Sequence, residues 1–324
     1  MFLKGSPFND ANQGDPPSYE TLIPFRSDTE MRGEKYVFHP SYLACLSLRT
    51  IFKETKGLQA GRLSKWVKRM KDYNSYELKV RRLHMNTVVC IGDSITYGRV
   101  GASYFEMLKS EFGGKFKFIN SGINGNLSYD VLKRIDGVTS LKPDIAVLLV
   151  GTNDVWATYS EKTMKAYIRK NRLPERPSKE SYARNFAEIL QRLKTASIAH
   201  IGVMSLPLIT EEPEHILFKR SVEYSELIKK ITSQMDLCYI DLNERQRDYL
   251  TKNKKSSPSG REVSWEFTLR MIFKHILLRK SWDELSQENG FLLTVDHVHQ
   301  NSTGAALIKD CASEFLKKLS LPDG

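Results

Sequence analysis

Five short runs of the chain have β-like, largely apolar character: 87–91, 116–120, 145–150, 200–205 and 237–241. Ile145-Ala146-Val147-Leu148-Leu149-Val150 is the clearest. Such continuity suits strands buried on both faces. Helical periodicity falls between and after them, near 103–112, 129–135, 182–195, 222–234 and 303–319. Strand–helix alternation predicts an α/β fold, a parallel sheet with helices on both faces. Reactive residues in such sheets gather at the carboxyl ends of the strands.

Two stretches exceed this minimal alternation, 156–179 and 245–290. The second is long for a connection and reads as a functional insertion. Within it Trp265, Leu269, Ile272, Phe273 and Ile276 share one helical face, and Arg270, Lys274, Arg279 and Lys280 add positive charge. The pattern fits a lid, a lipid-contacting element or a plain packed helix.

The pattern before residue 84 differs. Residues 41–83 are helical in character, with Leu63, Trp66, Val67 and Met70 at i, i+3, i+4 and i+7. Eleven basic residues there face three acidic ones. This basic amphipathic extension can contact an anionic membrane peripherally or pack on the following domain. Residues 1–40 are rich in Asn, Asp, Pro and Gly and predict a tail without fixed structure. Pro16-Pro17-Ser18-Tyr19 matches the PPxY ligand pattern of WW domains, a motif short enough to arise by chance. The expected organisation is a tail (1–40), an extension (41–83) and a catalytic-size domain (84–324) carrying the insertion at about 245–290.

Composition narrows the class. The 324 residues include 49 Lys+Arg against 38 Asp+Glu, a net charge of +11. The excess favours anionic partners; phospholipid is expected and nucleic acid is not. None of the four cysteines forms a CxxC pair. Cys90 and Cys238 sit in strand runs and are expected to be buried free thiols, which fits a reducing compartment. No signal-peptide core or bilayer-length apolar run is seen, so a cytoplasmic or peripheral-membrane protein is expected.

Four motifs carry candidate chemistry. Gly92-Asp93-Ser94-Ile95-Thr96 follows the first strand, where a Ser hydroxyl can be exposed and its own N–H can face an oxyanion. It is not a G-x-S-x-G elbow, because Thr96 replaces the second Gly. Asn120-Ser121-Gly122-Ile123-Asn124-Gly125 follows the second strand, and Gly122 there allows a close backbone approach or simply a turn. Gly151-Thr152-Asn153-Asp154 follows the third, with an Asn amide that suits an oxyanion donor or a helix cap. Asp296-His297-Val298-His299 precedes the last helix; an Asp and a His three apart can meet there, leaving Nε2 as a base. The alternative at this site is metal binding by His297 and His299, for which no partner cluster accompanies the pair.

Together these blocks, in this order, resemble the SGNH (GDSL-type) hydrolases from about Asn86 onward. The resemblance implies a three-layer, flavodoxin-like α/β/α sandwich with a five-stranded parallel sheet. It implies Ser94 as nucleophile, His299 as general base and Asp296 orienting it. It also implies an oxyanion hole of the Ser94 N–H, the Gly122 N–H and the Asn153 side chain, and an acyl-enzyme mechanism needing no metal or organic cofactor. Asp93 and Asp154 read as structural hydrogen-bonding groups. The substrate expected is a lipid-like or other hydrophobic acyl ester. A carbohydrate O-acetylesterase is the alternative enzyme, and a noncatalytic binding or scaffold protein the alternative of another class.

Overall fold

The computed structural model describes residues 85–253 and 263–320. The tail, the basic extension and the PPxY motif lie outside the described residues. Five strands form the sheet: β1 (Thr87–Gly92), β2 (Lys117–Gly122), β3 (Ile145–Leu149), β4 (His200–Met204) and β5 (Cys238–Ile240). All neighbours pair in parallel, in the order β2-β1-β3-β4-β5. This is the flavodoxin-like order.

The helices in chain order are α1 (Ser94–Tyr97), α2 (Tyr104–Phe112), α3 (Ser128–Thr139), α4 (Thr152–Ala157), α5 (Glu161–Asn171) and α6 (Lys179–Thr195). Then follow α7 (Ile216–Gln234), α8 (Leu242–Asn253), α9 (Trp265–Leu278), α10 (Trp282–Glu288) and α11 (Ser302–Ser320). Alternation within the strands sends side chains to two separate cores. Val89, Ile91, Ala146 and Leu148 pack with α3, α6 and α7 on one face. Val88, Cys90, Val147 and Leu149 pack with α2 and α11 on the other. That double burial is the physical reason the central strands read as continuous apolar runs.

Two expectations change. Cys90 is buried, whereas Cys238 is exposed, because β5 is an edge strand. The two stretches beyond the minimal alternation are helical: α5 lies in 156–179, while most of α8 and all of α9 and α10 lie in 245–290. Helix α9 packs through Phe267, Thr268 and Met271, so its inward face is not the stripe of Leu269, Phe273 and Ile276, which points outward. Among the described residues no helix is long and apolar enough to cross a membrane.

Register positions the site. Gly92 at the end of β1 pairs with Gly122 on β2 and Leu149 on β3. The segments following these three strands therefore emerge side by side at one edge of the sheet.

Candidate active site

Ser94 opens α1 directly after β1, and Asp93 caps that helix by accepting the Ile95 N–H at 3.0 Å. The short helix holds Ser94 at the sheet edge, half-buried. His299 arrives from the loop before α11. Its Nε2 lies 3.1 Å from Ser94 Oγ, and its Nδ1 lies 2.8 Å from Asp296 Oδ2. The other Asp296 oxygen accepts the N–H groups of Val298 and His299 at 3.1 and 2.8 Å. One buried carboxylate thus shapes its own loop and orients the imidazole.

Burial alone would raise the Asp296 carboxyl, but the charge and hydrogen bonds of His299 outweigh it and hold it at about 2. Burial pulls the His299 imidazole down, and Asp296 more than offsets this, leaving it above its ordinary value. Upstream, Glu211 clamps the same loop. Its carboxylate accepts the N–H groups of Leu292, Leu293 and Thr294 at 2.8–2.9 Å. Helix α9 reaches the site too, through Thr268 and Ile272, which line the cleft beside Ser94 and His299.

His297 turns elsewhere. It adopts φ 74°, its Nδ1 lies 3.2 Å from Thr210 Oγ1, and its ring packs between Phe267 and Phe291. The two histidines do not converge on a common ligand position. Among the described residues no group of three or more His, Cys, Asp or Glu side chains is placed to hold a metal ion.

Asn153 lies on α4, just after β3, and lines the cleft beside Ser94. Its Nδ2 donates to the Asn126 carbonyl at 3.0 Å and, over a longer 3.3 Å, to Asp93 Oδ2. Its Oδ1 accepts from the Tyr167 hydroxyl at 2.6 Å. Asp93 and Asp154 make the hydrogen bonds of structural groups: Asp154 accepts the Ser128 N–H at 2.9 Å and the Ser128 hydroxyl at 2.6 Å. Burial raises the carboxyl of Asp93 to about 6 and that of Asp154 to about 7.

Gly122 requires a correction. Its N–H is taken by Asn120 Oδ1 at 2.9 Å, and it does not line the cleft. A Cβ at Gly122 would collide with the backbone N of Tyr97, so glycine is needed here for packing against the Ser94 turn. The cleft is lined instead by Gly125, three residues on, at φ +73°. Arg134 holds this loop by bonding Asn126 Oδ1, the Ser121 hydroxyl and carbonyl, and the Gly92 carbonyl at 2.7–3.0 Å. Asn171 adds a 3.0 Å bond to the Gly125 carbonyl.

The cleft measures about 190 Å³. Ser94, His299, Asn153 and Gly125 line its polar end, and Trp156, Trp265, Ile272 and Val298 give it an apolar wall. The two Trp rings stand 6.0 Å apart. Lys170 closes the α5 side, 5.7 Å from the Trp265 ring centre. Trp265 is legible in the sequence through the apolar face of the insertion, whereas Tyr167, Lys170, Thr268 and Glu211 carry no motif signal and only the fold brings them to this site.

In family and fold the chain is similar to known ester hydrolases. Residues 90–263, more than half of the chain, match the GDSL-like Lipase/Acylhydrolase family; the match ends before Asp296. An acetylxylan esterase of Geobacillus stearothermophilus is 23% identical over 215 residues, 59% of this chain and 90% of that protein. A crystal structure of an acetyl xylan esterase aligns with TM-score 0.52 and 23% identity, covering 70% of this chain and 98% of that one. LAE5, an α/β hydrolase enzyme from the metagenome of Lake Arreo, Spain, aligns with TM-score 0.51 and 18% identity, covering 73% and 97%. At these identities the structural likeness is one of fold.

Proposed function

The chain belongs to the GDSL-like lipase/acylhydrolase family and is a carboxylic ester hydrolase; from that premise we propose that Ser94, His299 and Asp296 perform the hydrolysis. The observation that carries the assignment is the unbroken relay from Asp296 Oδ2 through His299 to Ser94 Oγ, with contacts of 2.8 and 3.1 Å. His299 Nε2 takes the Ser94 proton as Oγ attacks the ester carbonyl. Asp296 keeps Nδ1 protonated and stabilises the imidazolium that forms. The oxyanion is received by the N–H groups of Ser94 and Gly125 and by the Asn153 amide, whose long contact to Asp93 is the one it gives up. Each preorganised donor is worth about 10²–10³ in rate. His299 then protonates the departing alcohol, and water repeats the sequence on the acyl-enzyme. None of these steps draws on a metal or organic cofactor.

The substrate is a hydrophobic, lipid-like ester with a short acyl group. The small cleft volume and the wall of Trp156, Trp265, Ile272 and Val298 support this. A carbohydrate O-acetylesterase is the second reading, favoured by the paired Trp rings and by the activity named for the acetylxylan esterases. Hydrolysis of p-nitrophenyl esters of increasing chain length tests the choice, with a lysophospholipid and an acetylated xylo-oligosaccharide alongside. A preference for the acetylated sugar would replace the lipid-like reading. Failure to turn over any ester would overturn the assignment of the relay.

A further inference from the structure

Helix α9 carries apolar side chains on its exposed side as well as on its packed side. Its inward side packs on Phe267, Thr268 and Met271. Its outward side exposes Trp265, Leu269, Phe273 and Ile276, and its last turn exposes Leu277 and Leu278; these are six of the ten exposed large apolar side chains among the described residues. Scattered exposed apolar residues need no explanation, whereas a contiguous set on one helix does. The set is also continuous with the cleft: Trp265 is both exposed and part of the cleft wall, and Ile272 lines the cleft one turn from Leu269 and Ile276.

The charge around this ridge is mostly positive, although Glu266 pairs with Lys162 of α5 at 3.5 Å. Residues 265–280 carry Arg270, Lys274, Arg279 and Lys280 against Glu266 alone. Across the cleft, α5 exposes Lys162, Lys165, Arg169 and Lys170 against Glu161. Glu288 neutralises part of the excess by pairing with Lys274 and Lys280. An apolar ridge edged by cations matches the boundary between the acyl layer and the anionic headgroups of a phospholipid leaflet.

We infer that the lips of the cleft, α9 as apolar anchor and α5 as basic flank, dock on an anionic phospholipid surface and open the cleft towards it. The inference rests on the lipid-like reading of the substrate. Leu269, Phe273 and Ile276 enter the apolar layer, Trp265 sits at its boundary, and an ester lying in the leaflet reaches Ser94 without crossing open water. The cationic flank contributes an attraction that salt screens, and the apolar ridge one that salt does not.

The test uses the full chain carrying Ser94→Ala, so that no lipid is consumed, co-sedimented with phosphatidylcholine vesicles with and without phosphatidylserine. Binding should require phosphatidylserine, weaken with salt and persist in part. Replacing Leu269, Phe273 and Ile276 together by Ser should weaken it at least about tenfold. With Ser94 intact, that triple variant should keep its melting temperature and its rate on a small soluble ester. Should the triple variant melt early, Ile276→Glu, at the most exposed apolar position (71%), carries the same expectation. Binding untouched by these changes but lost in Trp66→Ala would assign the membrane contact to the extension and overturn the proposal. Self-association that these substitutions abolish, without vesicle binding, would assign the ridge to a second copy of the chain and overturn it as well. Intact vesicle binding without hydrolysis of any ester would sink the catalytic reading and leave the docking surface standing.

Discussion

The Tyr167 hydroxyl donates a 2.6 Å hydrogen bond to Oδ1 of Asn153 and, together with the Asn126 carbonyl that takes Nδ2 at 3.0 Å, holds that amide in one orientation. Without it the amide oxygen loses its partner and the amide is held only from its Nδ2 side, so its aim at an oxyanion loosens. Tyr167 is buried, so Phe fills the same space. Tyr167→Phe should lower kcat on the order of tenfold with little change in KM. Adding it to Asn153→Ala should cost almost nothing further. Full additivity of the two substitutions would show that Tyr167 does not act through Asn153.

A fluorophosphonate probe should label the wild type and not Ser94→Ala. His299→Ala should lose nearly all ester hydrolysis. His297→Ala should keep a substantial fraction, because its ring packs on Phe267 and Phe291 away from Ser94. Labelling that survives Ser94→Ala, or the reverse ranking of the histidines, would redraw the relay.

The pH profile follows from the relay. His299 acts as a base only when neutral, and Asp296 holds its imidazole above the ordinary value of about 6.5. Activity should therefore rise with pH along a limb displaced above that value. Asp296→Asn removes the charge and leaves the burial, so the limb should move to lower pH while the maximal rate falls by about 10⁴. A limb that stays in place in Asp296→Asn would show that another group controls it.

The two glycines of the second block should separate in their effects. Gly122→Ala drives a methyl group into the backbone of the Ser94 turn, so melting temperature and activity should fall together. Gly125→Ala meets only the flexible end of Lys170 and costs about 1–2 kcal/mol for the left-handed backbone. Its main effect should be on kcat, through a displaced N–H. Unchanged kcat in Gly125→Ala would remove that residue from the oxyanion site.

Asp154 provides a stability test. Burial raises its carboxyl to about 7 in the fold, with the Ser128 hydrogen bonds opposing only part of the rise. In the unfolded chain it titrates at about 3.9. The fold thus holds a proton that the unfolded chain releases, and its contribution declines as pH rises from about 4 to about 7. Asp154→Asn keeps an acceptor for the Ser128 N–H and has nothing to ionise. Its melting temperature should be flatter across that window and should match or exceed wild type at about pH 8. A steeper decline than wild type in thermal melts would contradict the buried-acid account.

Much of this fold is local information. The runs of β1 and β3 announce strands buried on both faces because each residue reports its own surroundings, and both core clusters draw on them. The three-residue step from Asp296 to His299 is local too, and one carboxylate bonds both the His299 backbone and its ring. What periodicity leaves open is which of two similar neighbours faces the site. Gly122 and Gly125 look equivalent along the chain; Arg134 from the following helix and Asn171 from a distant one set the loop path that puts Gly125 in the cleft. Likewise the apolar spacing of α9 identifies a helix but not its inward side, which Phe267, Thr268 and Met271 take by packing beneath the catalytic loop. Tyr167 has no sequence signal because its role is a single hydrogen bond to a residue on another helix. Secondary structure and the reacting groups follow from short-range patterning, whereas the oxyanion loop, the orientation of Asn153 and the exposed ridge of α9 depend on contacts that exist only once distant segments have met.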